Sequence, residues 1–182
     1  MTQQAVVLPV LRKATAEDAF ALKNLYKEVA KAPGGLVRNE SEITDEYISR
    51  ILNTSLDRGL MLVAQAEGGK NTLAGAVHAY KPVPKAFAHI FSDLRIVVHP
   101  DYQGKGIGRL IFSHFLETIS ASRHDILRVE LVVRESFLRG ILLYETLGFK
   151  REGRMECRIR GAAGAPEADI PMAWFNPNFQ AR

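Results

Sequence analysis

The chain runs Gln103-Gly104-Lys105-Gly106-Ile107-Gly108-Arg109 between an apolar strand and an apolar-striped helix, and this stretch decides how the sequence is interpreted. Glycine adopts positive φ without steric cost and lets another backbone or a ligand approach closely. Several N–H groups can therefore converge at the start of the following helix, where the helix dipole favours anions. The stretch predicts a phosphate-binding turn.

Two well-known phosphate motifs do not match its spacing. A P-loop requires G-x-x-x-x-G-K-[ST], and no Lys-Ser or Lys-Thr follows a glycine here. A dinucleotide fingerprint G-x-G-x-x-G would begin at Gly104, but its third glycine is replaced by the bulky Arg109 where close helix packing needs a small residue. A third pattern, Q/R-x-x-G-x-G/A, fits at Gln103, Gly106 and Gly108.

A second motif follows one helix and one strand later, at Leu143-Tyr144-Glu145-Thr146-Leu147-Gly148-Phe149. The two segments together resemble the acetyl-CoA motif and the LYxxxGF segment of the GNAT superfamily of N-acetyltransferases. The resemblance covers roughly residues 11–175 in the order of elements. It implies the GNAT fold, an α/β architecture with a mixed, mostly antiparallel central sheet of about seven strands flanked by helices.

Composition agrees with one globular domain spanning 1–182. The hydrophobic content is 47%, which is ordinary for a globular protein of 182 residues. One cysteine, Cys157, excludes an internal disulfide framework and a Cys-based zinc site and fits a reducing compartment. The first apolar run, Ala5–Leu8, is too short for a signal peptide, and no stretch is long enough to span a membrane. We therefore expect a cytoplasmic protein with no metal and no membrane partner.

The net charge of +4 raises the question of nucleic-acid binding. The densest basic stretch, Lys150–Arg160, contains two acids, and its apolar residues Met155, Cys157 and Ile159 alternate with the charged ones. This period is typical of a half-buried strand with a solvated face. We therefore expect no nucleic-acid partner, and we keep a nucleic-acid module only as a minor alternative.

Hydrophobic periodicity and turn signals predict the individual elements. A capping box at Thr15–Asp18 predicts the start of the first helix, and Glu67–Asn71 is predicted as a hairpin turn. Further helices are predicted over Thr44–Leu56, Ile107–Ser120 and Phe137–Leu147, and strands over Val10–Lys13, Leu60–Ala66, Thr72–Tyr80, His89–Val98, Leu127–Val133, Lys150–Arg160 and Ile170–Phe175.

The resemblance implies acetyl-CoA as co-substrate. Backbone N–H groups of the glycine stretch would hold its diphosphate, and two basic side chains would add charge beside it. In the family, the preceding strand splays from its neighbour and binds pantetheine through main-chain groups, which here assigns the strand segment Ile96, Val97 and Val98. The diphosphate-binding residues are then Gln103, Gly104, Lys105, Gly106, Ile107, Gly108 and Arg109.

Tyr144 stands where the family places a tyrosine that contacts the cofactor and acts as general acid. A phenol of pKa near 10 remains protonated at neutral pH and can donate to a departing thiolate, as phenylalanine cannot. The alternative is a purely structural aromatic in a helix stripe with Ile141 and Leu147.

Two carboxylates remain candidates for the general base. Asp93 lies ten residues before Gln103, close to where some relatives place a glutamate, and Glu130 lies on the adjoining strand. A salt bridge to Arg95 or Arg128 explains an acid within a strand equally well. An α-amine of pKa near 8 is partly neutral already, so a strong base is not required.

Two histidines on the predicted strands, His78 and His89, are possible proton relays, but ordinary packing or hydrogen bonding is the favoured interpretation. One departure from the family concerns the pantetheine contact: Phe137 replaces a frequent asparagine, and Gly140 stands where alanine is common.

The resulting hypothesis is an N-acetyltransferase that transfers acetyl from acetyl-CoA by direct attack to an amino acid, a peptide N-terminus or another small primary amine. The alternative is a non-catalytic sensor or scaffold that binds acyl-CoA. The resemblance leaves the oligomeric state open, with a homodimer as an arrangement that relatives often adopt.

Overall fold

A computed structural model describes residues 8–32, 36–66, 72–161 and 164–181. Eight strands and four α-helices lie in these ranges. In chain order they are β1 (Val10–Lys13), α1 (Ala19–Lys31), α2 (Asp45–Arg58), β2 (Gly59–Gln65), β3 (Leu73–Tyr80), β4 (Ile90–Val98), α3 (Ile107–Ser122), β5 (Arg128–Arg134), α4 (Leu138–Thr146), β6 (Lys150–Arg151), β7 (Met155–Arg160) and β8 (Pro166–Phe175).

The chain divides into two compact units. The first consists of Met1–Val77 and Ile96–Phe112, and the second of His78–Arg95 and Ser113–Arg182. Strands β3 and β4 and helix α3 each have residues in both units. The expectation of one domain over 1–182 stays a prediction.

In the first unit, the strand order is β1-β2-β3-β4. Strand β1 pairs antiparallel with β2, from Val10 opposite Gln65 to Lys13 opposite Leu62. The backbone N–H of His99, just after β4, donates to the carbonyl of Ala74 in β3 (2.9 Å). The end of β4, which leads into the glycine stretch, is therefore held by hydrogen bonding to a buried strand.

Helix α2 begins directly after Thr44, as predicted, whereas the capping box at Thr15 opens a 3-10 turn over residues 16–18 and α1 begins at Ala19. The N–H of Thr15 donates to the carboxylate of Asp18 (2.7 Å), and Thr44 Oγ1 accepts from the N–H of Tyr47 (3.2 Å). No helix in the described ranges has both the length and the hydropathy needed to cross a bilayer. The apolar faces of α1 and α2 form a core with strand residues, whose buried members include Leu22, Leu25, Tyr26, Ile48, Ile51, Met61 and Val63.

In the second unit, the strand order is β4-β5-β8-β6, with β7 also paired to β8. Strands β4 and β5 are parallel, whereas β5, β6 and β7 each run antiparallel to β8. The β5–β8 ladder is the longest, from Arg128 opposite Phe175 to Arg134 opposite Asp169. The predicted fold class, α/β with a mixed and mostly antiparallel sheet, is confirmed.

The prediction of a single strand over Lys150–Arg160 is wrong. The segment forms two strands, β6 and β7, separated by residues 152–154, which gives eight strands in the described ranges beside the expected number of about seven. Cys157 has φ +51 and is exposed, and the register with β8 shifts between Met155 and Ile159. The left-handed residue and the register shift lie inside β7, where they break the two-residue period on which the prediction relied. The predicted turn at Glu67–Asn71 lies outside the described residues.

Candidate functional site

The glycine turn, residues 103–109, leads from β4 into α3 in the first unit. Gly104 and Gly106 have φ values of +72° and +80°, in the left-handed region. Left-handed glycines in a turn let backbone N–H groups converge on one concave side, which suits an anion. A Cβ added at either glycine would meet no heavy atom within 4 Å, so the space in front of the turn is open. The turn therefore fits a phosphate group.

The side chains of the glycine turn differ in their contacts and exposure. Gln103 Nε2 donates to the carbonyl of Val98 (3.0 Å), so this amide braces the turn against the end of β4. Ile107 is buried and anchors the first turn of α3. Lys105 and Arg109 are exposed, which leaves positive charge at the rim of the turn.

The end of β4 presents its backbone groups to two different sides. The Val97 carbonyl oxygen lies 2.8 Å from the position of a Cβ on Gly75, so it faces β3. Backbone groups of successive strand residues point to opposite sides, so those of Ile96 and Val98 point away from β3. The same Cβ would lie 2.6 Å from Ile111 Cδ1, which explains why only glycine fits at position 75.

Asp93 bends β4 in the second unit. The register between β4 and β5 joins Ile90 with Arg128 and Phe91 with Val129, and it ends there. Asp93 has φ +54, in the left-handed region, which aspartate tolerates better than most residues. The buried residues on either side, Phe91 and Leu94, are three positions apart rather than two. The bend therefore ends the ladder with β5 and re-aims the Asp93 side chain.

The carboxylate of Asp93 belongs to a group of four residues, His78, Tyr80, Asp93 and Arg95, which we term the β4 acidic cluster. Tyr80 donates its phenolic hydrogen to Asp93 Oδ2 (2.5 Å), and Arg95 Nη2 lies 3.9 Å from Asp93 Oδ1. The Asp93 side chain is 53% exposed, so a solute can reach it. Sequence reasoning proposed Asp93 but missed Tyr80, although polar residues two apart at a strand end were a usable signal.

His78 supports this cluster from the protein interior. It is only 1% exposed, and its ring lies parallel to that of Tyr80, at 8° and with centroids 6.0 Å apart. Burial lowers the pKa of His78 to about 3, with the charge of Arg95 adding to the effect and Asp93 opposing it. His78 is therefore neutral at physiological pH, which agrees with the packing interpretation.

Glu130 has a different environment on β5. Arg128 Nε donates to Glu130 Oε2 (2.9 Å), and the same guanidinium also binds Glu152 through Nη1 (2.6 Å) and Nη2. The Glu152 carboxylate is the main cause of a raised pKa of Arg128, and Glu130 adds to it. Glu130 therefore accepts a direct hydrogen bond from a cation, whereas the hydrogen bond to Asp93 comes from a neutral phenol.

Tyr144 lies at the C-terminal end of α4, where the LYxxxGF motif forms a helix cap. The N–H of Phe149 donates to the Tyr144 carbonyl (3.0 Å) and that of Gly148, at φ +91, to the Glu145 carbonyl (3.0 Å). These are the two hydrogen bonds of a Schellman motif, and the Tyr144 and Phe149 rings, 6.1 Å apart, supply its apolar contact. Burial raises the pKa of Tyr144 to about 12, so the phenol remains a hydrogen-bond donor.

The two departures from the family at the start of α4 depend on each other. A Cβ on Gly140 would lie 2.3 Å from two atoms of the Phe137 ring. The ring, 45% exposed, therefore lies over position 140, and it can occupy this place only because residue 140 has no side chain.

The basic residues of Lys150–Arg160 are partly neutralised by acids. Arg151 Nε donates to Glu145 (2.8 Å), and Arg154 binds both oxygens of Glu135 (2.7 Å each). This pairing favours a solvated face over a nucleic-acid surface. In the described part of the chain, no three His, Cys, Asp or Glu side chains are grouped so as to hold a metal ion.

The chain resembles known proteins in sequence as well as in fold. Residues 57–151, just over half of it, match the family described as "Acetyltransferase (GNAT) domain". The chain is 39% identical over 54 residues to the ribosomal protein bS18-alanine N-acetyltransferase of Escherichia coli K12, which corresponds to 30% of this chain. It spans about a third, 35%, of that relative's length.

Solved structures resemble the chain over most of its length. A ribosomal-protein-alanine N-acetyltransferase from Brucella melitensis superimposes with a TM-score of 0.76 at 22% identity, covering 91% of this chain and 99% of that one. A phosphinothricin acetyltransferase from Sinorhizobium meliloti, solved with acetyl-CoA, gives 0.76 at 20% identity, covering 97% and 92%. At these identities the likeness concerns the fold.

Proposed function

Because the chain belongs to the GNAT acetyltransferase family, we propose that it is an N-acetyltransferase that transfers the acetyl group of acetyl-CoA to a primary amine. The observation that carries the proposal is the glycine turn, with two left-handed glycines facing open space. Its backbone N–H groups would bind the diphosphate of coenzyme A, and Lys105 and Arg109 would add positive charge. Ile96 and Val98, whose backbone groups point away from β3, would bind the pantetheine amides.

The chemistry requires one proton to leave the amine and one to reach the sulfur. The amine nitrogen attacks the thioester carbonyl, a C–N bond forms, and the C–S bond breaks. Asp93 would accept the amine proton directly or through water, and the departing coenzyme A thiolate would take up a proton from water. Because the pKa of Tyr144 is raised to about 12, this phenol would chiefly donate a hydrogen bond to the departing sulfur.

The acceptor we propose is the α-amine of an amino acid or of a peptide N-terminus. The Escherichia coli relative is named for the alanine of a ribosomal protein, which supports an N-terminal amine as acceptor. An α-amine of pKa near 8 is neutral in part at physiological pH, so an exposed carboxylate such as Asp93 suffices as base. A cytoplasmic location and a homodimer remain predictions.

The proposal is tested by thiol release with acetyl-CoA and a panel of amines, with mass spectrometry of each acceptor. The panel includes free amino acids, peptides beginning with alanine, polyamines and aminoglycosides. We expect one acetylated α-amine for each thiol released. Tyr144→Phe should slow acetyl transfer and retain coenzyme A binding, because it removes only the hydrogen bond to sulfur.

A non-catalytic acyl-CoA sensor is the second candidate. It is favoured by Phe137 and Gly140, which replace a frequent polar contact to pantetheine with an aromatic ring lying over a glycine. Saturable coenzyme A binding without acetylation of any acceptor would support the sensor and overturn the enzyme. No binding of coenzyme A would overturn both.

A further inference from the structure

We propose that Tyr80 is a positioning residue for Asp93, which holds the carboxylate in the orientation needed to accept a proton from the acceptor amine. This inference rests on the proposed function, since it assigns Asp93 to the acceptor. It is carried by the contacts of the β4 acidic cluster, which lies entirely within the second unit.

Asp93 needs such support because its backbone does not fix its side chain. It lies at a left-handed bend where the ladder to β5 has ended, and its carboxylate is half-exposed. A free aspartate at such a place would rotate among several rotamers. The phenolic O–H of Tyr80 donates to Oδ2 at 2.5 Å, which selects one of them.

Tyr80 is itself held in place. Its ring lies parallel to the imidazole of His78, which is buried and cannot shift without disturbing the interior. The buried His78 therefore fixes the ring of Tyr80, and the Tyr80 hydroxyl in turn fixes the carboxylate of Asp93. Precise placement of a catalytic group by packed neighbours is what efficient proton transfer requires.

The identity of the donor matters as well. A phenol is neutral, so it orients Asp93 without cancelling its negative charge. Arg95 Nη2 is 3.9 Å from the other oxygen, Oδ1, which is longer than a hydrogen bond. Glu130, by contrast, accepts directly from Arg128 (2.9 Å). Asp93 is thus oriented by a neutral donor rather than by a cation, as suits a base for an amine.

The test is a double-mutant cycle with Tyr80→Phe, Asp93→Asn and the double variant, measured as kcat and KM with an acceptor that the parent acetylates. Phenylalanine keeps the ring that packs on His78 and removes only the hydroxyl. We expect Tyr80→Phe to lower kcat by about tenfold or more, the loss of a hydrogen bond to a charged group, with the KM for acetyl-CoA unchanged. In the Asp93→Asn background, the same change should alter kcat by less than about twofold, because the hydroxyl no longer has a base to position.

A matched control removes a tyrosine hydroxyl elsewhere. Tyr47, whose ring packs against Tyr26 and Arg38 in the first unit, becomes phenylalanine in Tyr47→Phe, and this variant should retain the parent kcat. Equal losses of kcat in both backgrounds, or no loss in the parent, would overturn the positioning role while leaving the enzyme proposal intact. A parent that binds coenzyme A but acetylates no amine would overturn both, so the two failures are distinguishable.

Discussion

The glycine turn and the β4 acidic cluster both present polar groups to solvent, but they are built from different parts of the chain. The turn consists of backbone N–H groups whose directions follow from the φ angles of Gly104 and Gly106. The cluster consists of side chains from two strands, oriented by the contact of Tyr80 with Asp93. A site made of backbone can bind a constant group such as a phosphate, whereas side chains can hold and move a proton.

Because of this difference, we expect substitutions in the glycine turn to weaken coenzyme A binding and substitutions in the β4 acidic cluster to lower kcat, each without the other effect. The largest effect is expected for Asp93→Asn, which keeps the shape of the side chain and its tolerance of positive φ but removes the base. We expect kcat to fall by about 10²- to 10⁴-fold with the affinity for coenzyme A unchanged. Steady-state kinetics and equilibrium dialysis on the same sample measure the two quantities.

Glu130→Gln is the matched control for that variant. Glu130 is ion-paired with Arg128, so its loss should change kcat by only a small factor. If Glu130→Gln lowered kcat more than Asp93→Asn did, Glu130 on β5 rather than Asp93 on β4 would be the base.

The second effect concerns the glycine turn alone. Gly106→Val should weaken coenzyme A binding by roughly 10²-fold, since a side chain in the open space would displace about two charge-assisted hydrogen bonds. Gly164→Val is an unusually close control, because Gly164 also has a left-handed φ (+82) and no neighbour within 4 Å of its added Cβ. Both variants should suffer the same backbone strain, but only the first should lose affinity in equilibrium dialysis. Equal loss in both would mean that strain, not the site, is being measured.

The third effect concerns the β4 acidic cluster: the folding stability should depend on pH because of the buried His78. Because the pKa of His78 is lowered to about 3 in the folded state, the unfolded chain binds a proton below about pH 6.5 that the folded chain does not. Above pH 6.5 the imidazole of His78 is neutral in both states, and the folding stability that goes with this is fully present. On acidification the unfolded state gains a proton, so the free energy of unfolding falls, by about 2 kcal/mol at pH 5.

Urea unfolding at pH 7 and pH 5 measures this loss. His78→Gln should make the stability less dependent on pH over that interval, whereas the exposed His114→Gln should retain the slope of the parent. A slope unchanged by His78→Gln would contradict a buried, neutral imidazole behind Tyr80.

The smallest effect is expected at the start of α4. Gly140→Ala adds a better helix former, worth about 1 kcal/mol, but its Cβ must push the exposed Phe137 ring aside. The gain should therefore be larger in a Phe137→Asn background than in the parent, as measured by thermal unfolding. Equal gains in the two backgrounds would show that the ring does not occupy the space over Gly140.

Sequence reasoning worked where structure depends on local patterns. The strand Val10–Lys13 and the capping box at Thr15 follow from neighbouring residues, and the structure has them at the predicted positions. The motif around Tyr144 could be predicted as a helix end because a Schellman cap needs a glycine at a fixed distance. The glycine turn could be found for the same reason.

Sequence reasoning failed where one residue takes an unexpected backbone angle or where a side chain's partner lies far along the chain. The left-handed Cys157 is invisible in an alternating pattern, so the register shift within β7 was missed, along with the break at residues 152–154. The positive φ of Asp93 is equally hidden, and Tyr80 meets Asp93 only because two strands bring them together. Such contacts depend on register, which no local spacing determines.

The most direct test of the account is calorimetric titration of coenzyme A into the unmodified protein. We expect saturable heat with one coenzyme A bound per chain, because on this account the amides of the glycine turn are already oriented toward an anion. Absence of saturable heat at millimolar coenzyme A would contradict it, since neither the enzyme nor the sensor could then operate.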